Sequence, residues 1–171
     1  VNLSEAGKEL VEQLDEELDE LSETQKEKAK WTKLEALVGS EQRIKNIAKD
    51  IVAHFEKRQS ASKGKGMIVA MSRRIAADLY EAVRQLRPAW HHDDLDKGAI
   101  KVVMTAASSD GEKMAKHHTT KKERRFLADR MKNPDDELKL VIVRDMWLTG
   151  FDAPSMHTLY IDKPMKGHNL M

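Results

Sequence analysis

The sequence contains no cysteine among its 171 residues. Disulfide bonds and thiolate metal ligands are therefore excluded, and with them the small folds that disulfides stabilise. Apolar runs are short as well, and none approaches the roughly 20 residues that a membrane-spanning helix needs. The N-terminal segment lacks the pattern of a signal peptide. We therefore expect a soluble protein of the cytoplasm.

A phosphate-binding loop of the form GxxxxGK[ST] is also missing. The GKGM string around Lys65 resembles such a loop only superficially, because the first glycine does not have the required spacing. No acidic Mg²⁺-binding strand accompanies such a loop, so the chain lacks the usual groups that activate a nucleoside triphosphate. His117 and His118 are adjacent rather than at helical ligand spacing, and we predict no metal site.

The charges are abundant and unevenly distributed. Charged residues make up 35% of the chain and apolar residues 40%, which is typical of one globular domain with a highly charged surface. Residues 1–30 carry a charge of −6, whereas residues 112–132 carry +5. These segments predict an acidic arm and a basic face that could meet phosphate. Solvated helix faces without a partner are the alternative for each segment.

The N-terminal third is predicted to be helical. A narrow apolar stripe recurs at helical spacing and should lie against another helix or a second copy of itself; it consists of Leu10, Leu14, Leu18 and Leu21. A second helix, from the N-cap Ser40 to Arg58, has a wider apolar face of Ile44, Ile47, Ile51, Val52 and Phe55. Residues 59–66 have the composition of a linker. We expect a helical arm and linker region at 1–62 and a second domain at 63–171.

Strand and helix patterns alternate after this linker. Strands are predicted at 67–71, 100–105, 139–143 and 157–161, with helices at 73–86 and 120–132. Thr120 and Glu123 have the spacing of a capping box, which fixes the start of the second of these helices. The alternation predicts a mostly parallel sheet with helices on its faces. The expected fold class is α/β.

Polar residues follow the predicted strands, at the edge where parallel sheets bind ligands. Ser72 and Arg73 open a helix and could hold an anion, although Ser72 alone could also be no more than the helix cap. Thr105 ends the second strand and should lie at the same edge. The helix after Thr120 opens with four cations that form either a binding face or a solvated face: Lys121, Lys122, Arg124 and Arg125.

The segment VIVRDMWLTGFDAP, residues 141–154, carries the strongest signal. A buried β-branched strand ends there in a loop of polar groups and a glycine: Arg144, Asp145, Thr149, Gly150 and Asp152. Gly150 lets a ligand approach the main chain, and Asp152 can accept hydrogen bonds from ribose hydroxyls. An ordinary strand and turn ended by Pro154 is the alternative. Trp147 and Phe151 are predicted to be core residues.

With its continuation SMHTLYIDKPMKGHNLM, this segment closely resembles the second motor domain of the DNA-translocating R subunit of type I restriction enzymes, which are superfamily 2 helicase-type ATPases. The resemblance extends from about residue 34 onward and is most specific at 139–171. It implies an incomplete RecA-like domain of the P-loop NTPase type, with a parallel sheet, flanking helices and a preceding α-helical arm.

The same resemblance implies roles for particular residues. Ser72 and Arg73 match helicase motif IV, whose polar residues touch the DNA backbone, and Thr105 lies in a segment that also meets it. In motif V, residues facing the DNA strand and bracing the loop correspond to Arg144 and Asp145, and Thr149 lies at the turn that follows. Gly150 and Asp152 match the residues that approach ATP between two motor domains.

The resemblance further implies ATP with Mg²⁺ as the cofactor of the intact subunit, with none expected in the fragment alone. Its implied partners are double-stranded DNA, the modification and specificity subunits, and the first motor domain, which carries the phosphate loop. The chain begins without methionine, and motif VI would begin just after Met171. We therefore expect an excised fragment that alone neither hydrolyses ATP nor cuts DNA. The alternatives are a motor domain of another superfamily 2 DNA helicase and a non-catalytic interaction module.

Overall fold

The computed structural model describes residues 23–144 and 156–162. Two helices come first, α1 (Glu23–Val38) and α2 (Glu41–Ala61). Strand β1 (Lys65–Ala70), helix α3 (Arg73–Leu86), a 3-10 turn (Pro88–Trp90) and strand β2 (Ile100–Val103) follow. The remaining elements are α4 (Glu112–Ala115), α5 (Lys121–Lys132), β3 (Leu140–Val143) and β4 (Met156–Asp162).

The four strands form one sheet in the order β2-β3-β1-β4, and every neighbouring pair is parallel. Val69 of β1 lies beside Val143 of β3 and Ile161 of β4, so the three strands end together. We call this end of the sheet the carboxyl edge. The all-parallel sheet with flanking helices confirms the predicted α/β, RecA-like fold class.

Side-chain alternation divides the sheet into two covered faces. One face packs on α1, α2 and α3, and its strand residues include Ile68, Ile142 and Tyr160. The other face packs on α5 and contributes Met67, Val69, Val103, Val141 and Val143. Because both faces are covered, the central strands carry consecutive rather than alternating apolar residues, at 67–70 in β1 and 140–143 in β3.

The helices that precede β1 share the core of the sheet. Ile44, Ile51, Val52 and Phe55 of the predicted apolar face of α2 are buried, together with Ala48, whereas Ile47 is only partly buried. Leu34 and Val38 bring α1 into the same cluster. Ser40 occupies the predicted N-cap position of α2, but its side chain makes no capping hydrogen bond.

The predicted linker at 59–66 is too long. Helix α2 continues to Ala61 and β1 already begins at Lys65, which leaves only three residues between them. Gly66 is a strand residue for a packing reason. A Cβ atom at this position would lie 2.9 Å from Leu140 Cδ2, closer than real Cβ atoms approach. The glycine therefore serves close packing in the sheet rather than chain flexibility.

The second strand also differs from its prediction, since β2 ends at Val103 and not at Thr105. Met104 makes only an isolated bridge to His118, and the predicted loop 106–118 contains the single turn α4. The starts of α3 and α5, the end of α5 at Lys132 and the strand β3 agree with the sequence patterns.

Helix α5 runs from the carboxyl edge back to the opposite end of the sheet. At its start, the N–H and Oγ1 of Thr119 both donate to the carbonyl oxygen of Met104, at 3.3 and 2.8 Å. At its end, the Arg130 carbonyl oxygen accepts a 2.7 Å hydrogen bond from Nζ of Lys65, the first residue of β1. The first turn of α5 therefore lies at the carboxyl edge.

Among the described helices, none combines the length and the apolar character that crossing a bilayer requires.

Candidate functional site at the carboxyl edge

Four of the predicted site residues lie at the carboxyl edge. Ser72 and Arg73 follow β1, Thr105 comes two residues after β2, and Arg144 follows β3 directly. Parallel pairing brings these segments to one side of the sheet, as the sequence analysis expected. Thr149, Gly150 and Asp152, like Asp145, lie outside the described residues.

The Ser72 hydroxyl is fully engaged inside the protein. It accepts a 3.1 Å hydrogen bond from the backbone N–H of Ile75 and donates a 2.9 Å hydrogen bond to Oε1 of Glu35 in α1. The first contact makes Ser72 the N-cap of α3, one of the two roles that its sequence position allowed. The second contact places a carboxylate on the hydroxyl. Any phosphate that approached Ser72 would meet this negative charge.

The Arg73 guanidinium is also held internally. Nη1 donates to Oδ1 of Asp110 at 2.9 Å, Nη2 donates to the carbonyl oxygen of Thr105 at 2.6 Å, and Nη2 also pairs with Oδ2 of Asp110. These contacts tie the first turn of α3 to the loop after β2. Thr105 is itself exposed, so its side chain can be reached from solvent.

Asp110 is the centre of this network, and sequence reasoning assigned it no role. Besides Arg73, it accepts a hydrogen bond from the backbone N–H of Ala107, and its Oδ2 lies 2.6 Å from Nε2 of His118. The Arg73 guanidinium, followed by the contact with His118, lowers the pKa of Asp110 to about 2. The carboxylate therefore stays ionised and keeps its charge paired with Arg73.

Arg74 joins α1 to α3. Its guanidinium pairs with Glu35 at 2.7 Å and with Asp78, one turn further along α3, at 3.0 Å. Gly39, at the corner between α1 and α2, packs directly on this region. A Cβ atom there would lie 2.2 Å from Nη2 of Arg74 and 2.9 Å from Cγ1 of Ile75. The α1–α2 corner consequently packs against the first turn of α3 at Gly39.

A small cavity of about 180 Å³ lies beside the carboxyl edge, and it is lined by Tyr80, Lys101 and the histidines His91, His92, His117 and His118 among others. Burial lowers the pKa of His117 to about 4 and raises that of Tyr80 to about 12, so both are neutral at pH 7. Within 23–144 and 156–162, no group of three or more His, Asp or Glu residues is arranged to hold a metal ion.

The chain is similar to subunits of type I restriction enzymes. A family model described as type I restriction enzyme subunit R domain 3 matches residues 32–171. The chain is 53% identical over 137 residues to the type I restriction enzyme HindI endonuclease subunit of Haemophilus influenzae, an alignment that covers 80% of this chain and 13% of that protein.

A second relative is the putative type I restriction enzyme MjaIXP endonuclease subunit of Methanocaldococcus jannaschii. It is 42% identical over 166 residues, which cover 92% of this chain and 15% of that protein. The chain therefore spans less than a fifth of the length of the curated relatives it matches.

Proposed function

Because the chain belongs to the family of type I restriction enzyme R subunits, we propose that it forms the second motor domain of an ATP-dependent subunit that translocates and cleaves double-stranded DNA. This proposal rests on the arrangement of chain segments at the carboxyl edge. Segments far apart in sequence, around Ser72, Thr105 and Arg144, meet there at the ends of parallel strands. Such an edge is where open α/β sheets bind nucleotides and phosphates.

The chain would line one side of a nucleotide cleft. Gly150 and Asp152 follow Arg144 in the sequence, and in this proposal Asp152 accepts hydrogen bonds from the ribose of ATP. The sequence holds no phosphate loop, so we assign the triphosphate and its Mg²⁺ to the first motor domain. ATP binding and hydrolysis would supply the free energy that opens and closes the cleft between the domains.

The contacts with DNA would be made to the phosphodiester backbone. A motor that moves along any sequence needs phosphate contacts rather than base contacts, because phosphates carry no sequence information. Arg144 and Thr149 are the proposed contacts in motif V, and Ser72, Arg73 and Thr105 those in the preceding segments. Choice of the DNA site would belong to the specificity subunit, which we propose as a partner together with the modification subunit.

The test uses the full-length subunit that contains this chain, with ATPase rates measured against both ATP and DNA concentration. We expect Asp152→Ala to raise the KM for ATP, and Arg144→Gln to raise the DNA concentration needed for half-maximal stimulation. The two effects separate because the two residues face different ligands. Lys63→Gln, an exposed change after α2, is the matched control and should alter neither parameter.

Unchanged KM for ATP in Asp152→Ala would contradict the nucleotide role, and unchanged DNA stimulation in Arg144→Gln would contradict the DNA role. The 171-residue chain alone should not hydrolyse ATP, because it lacks the phosphate loop, and we propose that it does not cut DNA by itself either. A metal-dependent ATPase rate from the purified chain would count against the two-domain cleft.

A further inference from the structure

Most cations near the carboxyl edge are already paired inside the described part of the chain. Arg73 is bound by Asp110, and Arg74 by Glu35 and Asp78. In the loop that follows β2, Lys113 pairs with Asp78 at 2.6 Å and Lys116 with Glu81 at 3.7 Å. A phosphate would have to displace a carboxylate from each of these groups, which reduces what they can contribute to DNA binding.

Three cations in the first two turns of α5 differ from this pattern. Lys121, Lys122 and Arg125 are exposed, and none of them takes part in an ion pair within residues 23–144 and 156–162. Arg124 points instead to the carbonyl oxygen of Thr119, 2.5 Å away. We call Lys121, Lys122 and Arg125 the α5 cations.

The α5 cations lie at the same edge as the predicted DNA contacts. Thr119 precedes Lys121 by two residues, and its hydroxyl donates a hydrogen bond to the carbonyl oxygen of Met104. Met104 is the first residue after β2, and Thr105 follows it directly. The carbonyl oxygen of Thr105 in turn accepts from Arg73. The start of α5, the exposed Thr105 and the start of α3 are therefore consecutive neighbours along one rim of the sheet.

The side chains of the α5 cations add positive charge at a helix end that is already the positive end of the helix dipole. The Thr120 hydroxyl accepts from the N–H of Glu123 at 3.1 Å, and the Glu123 carboxylate accepts from the N–H of Thr120 at 2.9 Å. This capping box satisfies two amides at the start of the helix, those of Thr120 and Glu123, and also occupies the nearest carboxylate. Cations in the first turn oppose the helix dipole, so their presence there does not help the helix itself.

We propose that the α5 cations form a contact surface for the phosphodiester backbone of double-stranded DNA, in addition to the motif residues. The inference rests on the proposed function of this chain as part of a DNA motor. Exposed, unpaired cations bind phosphates without first breaking an internal ion pair. In this arrangement α5 provides the initial electrostatic contact, and the paired Arg73 fixes the rim beside it.

The experiment measures binding of the 171-residue chain to a fluorescein-labelled 30-base-pair duplex by anisotropy, between 50 and 300 mM NaCl. The test variant is K121Q/K122Q/R125Q. A matched control, K49Q/K57Q/K63Q, makes the same change in net charge at exposed positions on α2 and the loop after it. Each neutralised phosphate contributes about 0.9 to the slope of log affinity against log salt.

We expect the test variant to lose roughly tenfold or more in affinity at 50 mM salt and to reduce that slope by about 2 to 3, while the control keeps the slope of the unmodified chain. Circular dichroism confirms that both variants are folded. Equal losses of affinity in the two variants would contradict the proposed α5 surface, because binding would then depend only on the net charge of the chain. The proposal would also be contradicted if polyglutamate displaced the labelled duplex as well as unlabelled DNA of equal charge does.

Arg144→Gln, measured in parallel, separates the two proposals. If it weakens binding while the test variant binds like the unmodified chain, the α5 surface is wrong and the DNA role of the domain stands. If the unmodified chain does not bind the duplex at 50 mM salt, the α5 surface is wrong as well. The proposed function is then decided independently by the KM for ATP of Asp152→Ala in the full-length subunit.

Discussion

At the scale of single residues, Asp110 determines how the candidate site is organised. It holds Arg73 from 37 residues away and contacts His118 and the N–H of Ala107. The sequence identified Arg73 from its position between a strand and a helix, but nothing in a polar loop distinguished Asp110 from its neighbours. Pairing between distant segments depends on strand order, and strand order is not contained in local patterns.

Asp110→Asn should lower the thermal stability of the chain at pH 7. The folded-state pKa of Asp110, about 2, lies below its ordinary value of 3.8, so the ionised form stabilises the fold above pH 3.8. This contribution is lost as the pH falls from 3.8 to 2. We therefore expect the difference in Tm between the unmodified chain and the variant to shrink over that range in thermal unfolding followed by circular dichroism.

Asp96→Asn provides the control, because Asp96 is an exposed carboxylate outside the Asp110 network. It should leave the Tm nearly unchanged at every pH. A Tm difference for Asp110→Asn that persists undiminished at pH 2 would show that packing, rather than ionisation, accounts for the effect.

At the scale of helices and strands, sequence patterns predicted those features that depend only on residues close together in the chain. The Thr120–Glu123 spacing predicted a capping box, and both of its hydrogen bonds are present. The error at the 59–66 linker has a different cause. Glycine content suggested a flexible segment, whereas Gly66 lies in β1 and packs closely against the side chain of Leu140 on the neighbouring strand. Such packing becomes visible only when the register of the sheet is known.

Thr120→Ala should destabilise the protein by about 1 kcal/mol, because it removes the side-chain acceptor for the N–H of Glu123. Urea unfolding, followed by circular dichroism at 222 nm, measures the change. Ser109→Ala, an exposed loop substitution nearby, should have no measurable effect. If the two variants were equally stable, the capping box would make no net contribution to the start of α5.

At the scale of the whole molecule, the helices before β1 are part of one packed body with the sheet. The sequence could not decide whether the segment before residue 39 packs on the sheet or projects from it. Leu34 and Val38 are buried in the same cluster as the strands, so the described part of this segment packs. The leucine stripe at Leu10 to Leu21 lies outside the described residues, and its partner stays a prediction.

An ion pair joins α2 to β4, and its removal tests whether the helices before β1 and the sheet stabilise each other. Arg43 of α2 donates to both carboxylate oxygens of Asp162 at the end of β4, at 3.0 and 2.5 Å, and also to the carbonyl oxygen of Val38. Removing the cation leaves the Asp162 carboxylate, only 5% exposed, without this partner. Arg43→Met should therefore lower the free energy of unfolding by about 3 kcal/mol.

Equilibrium unfolding in urea measures this loss, and Asp162→Asn added to Arg43→Met should restore part of it, because the uncompensated charge is then gone. Additive losses in the double variant would mean that the two residues stabilise the protein independently.

The carboxylate of Glu35 connects two side chains at the carboxyl edge. It accepts a hydrogen bond from the Ser72 hydroxyl at 2.9 Å and pairs with the Arg74 guanidinium at 2.7 Å. One side chain of α1 therefore occupies two potential ligands for a phosphate, so a substitution of Glu35 would change the surroundings of both at once.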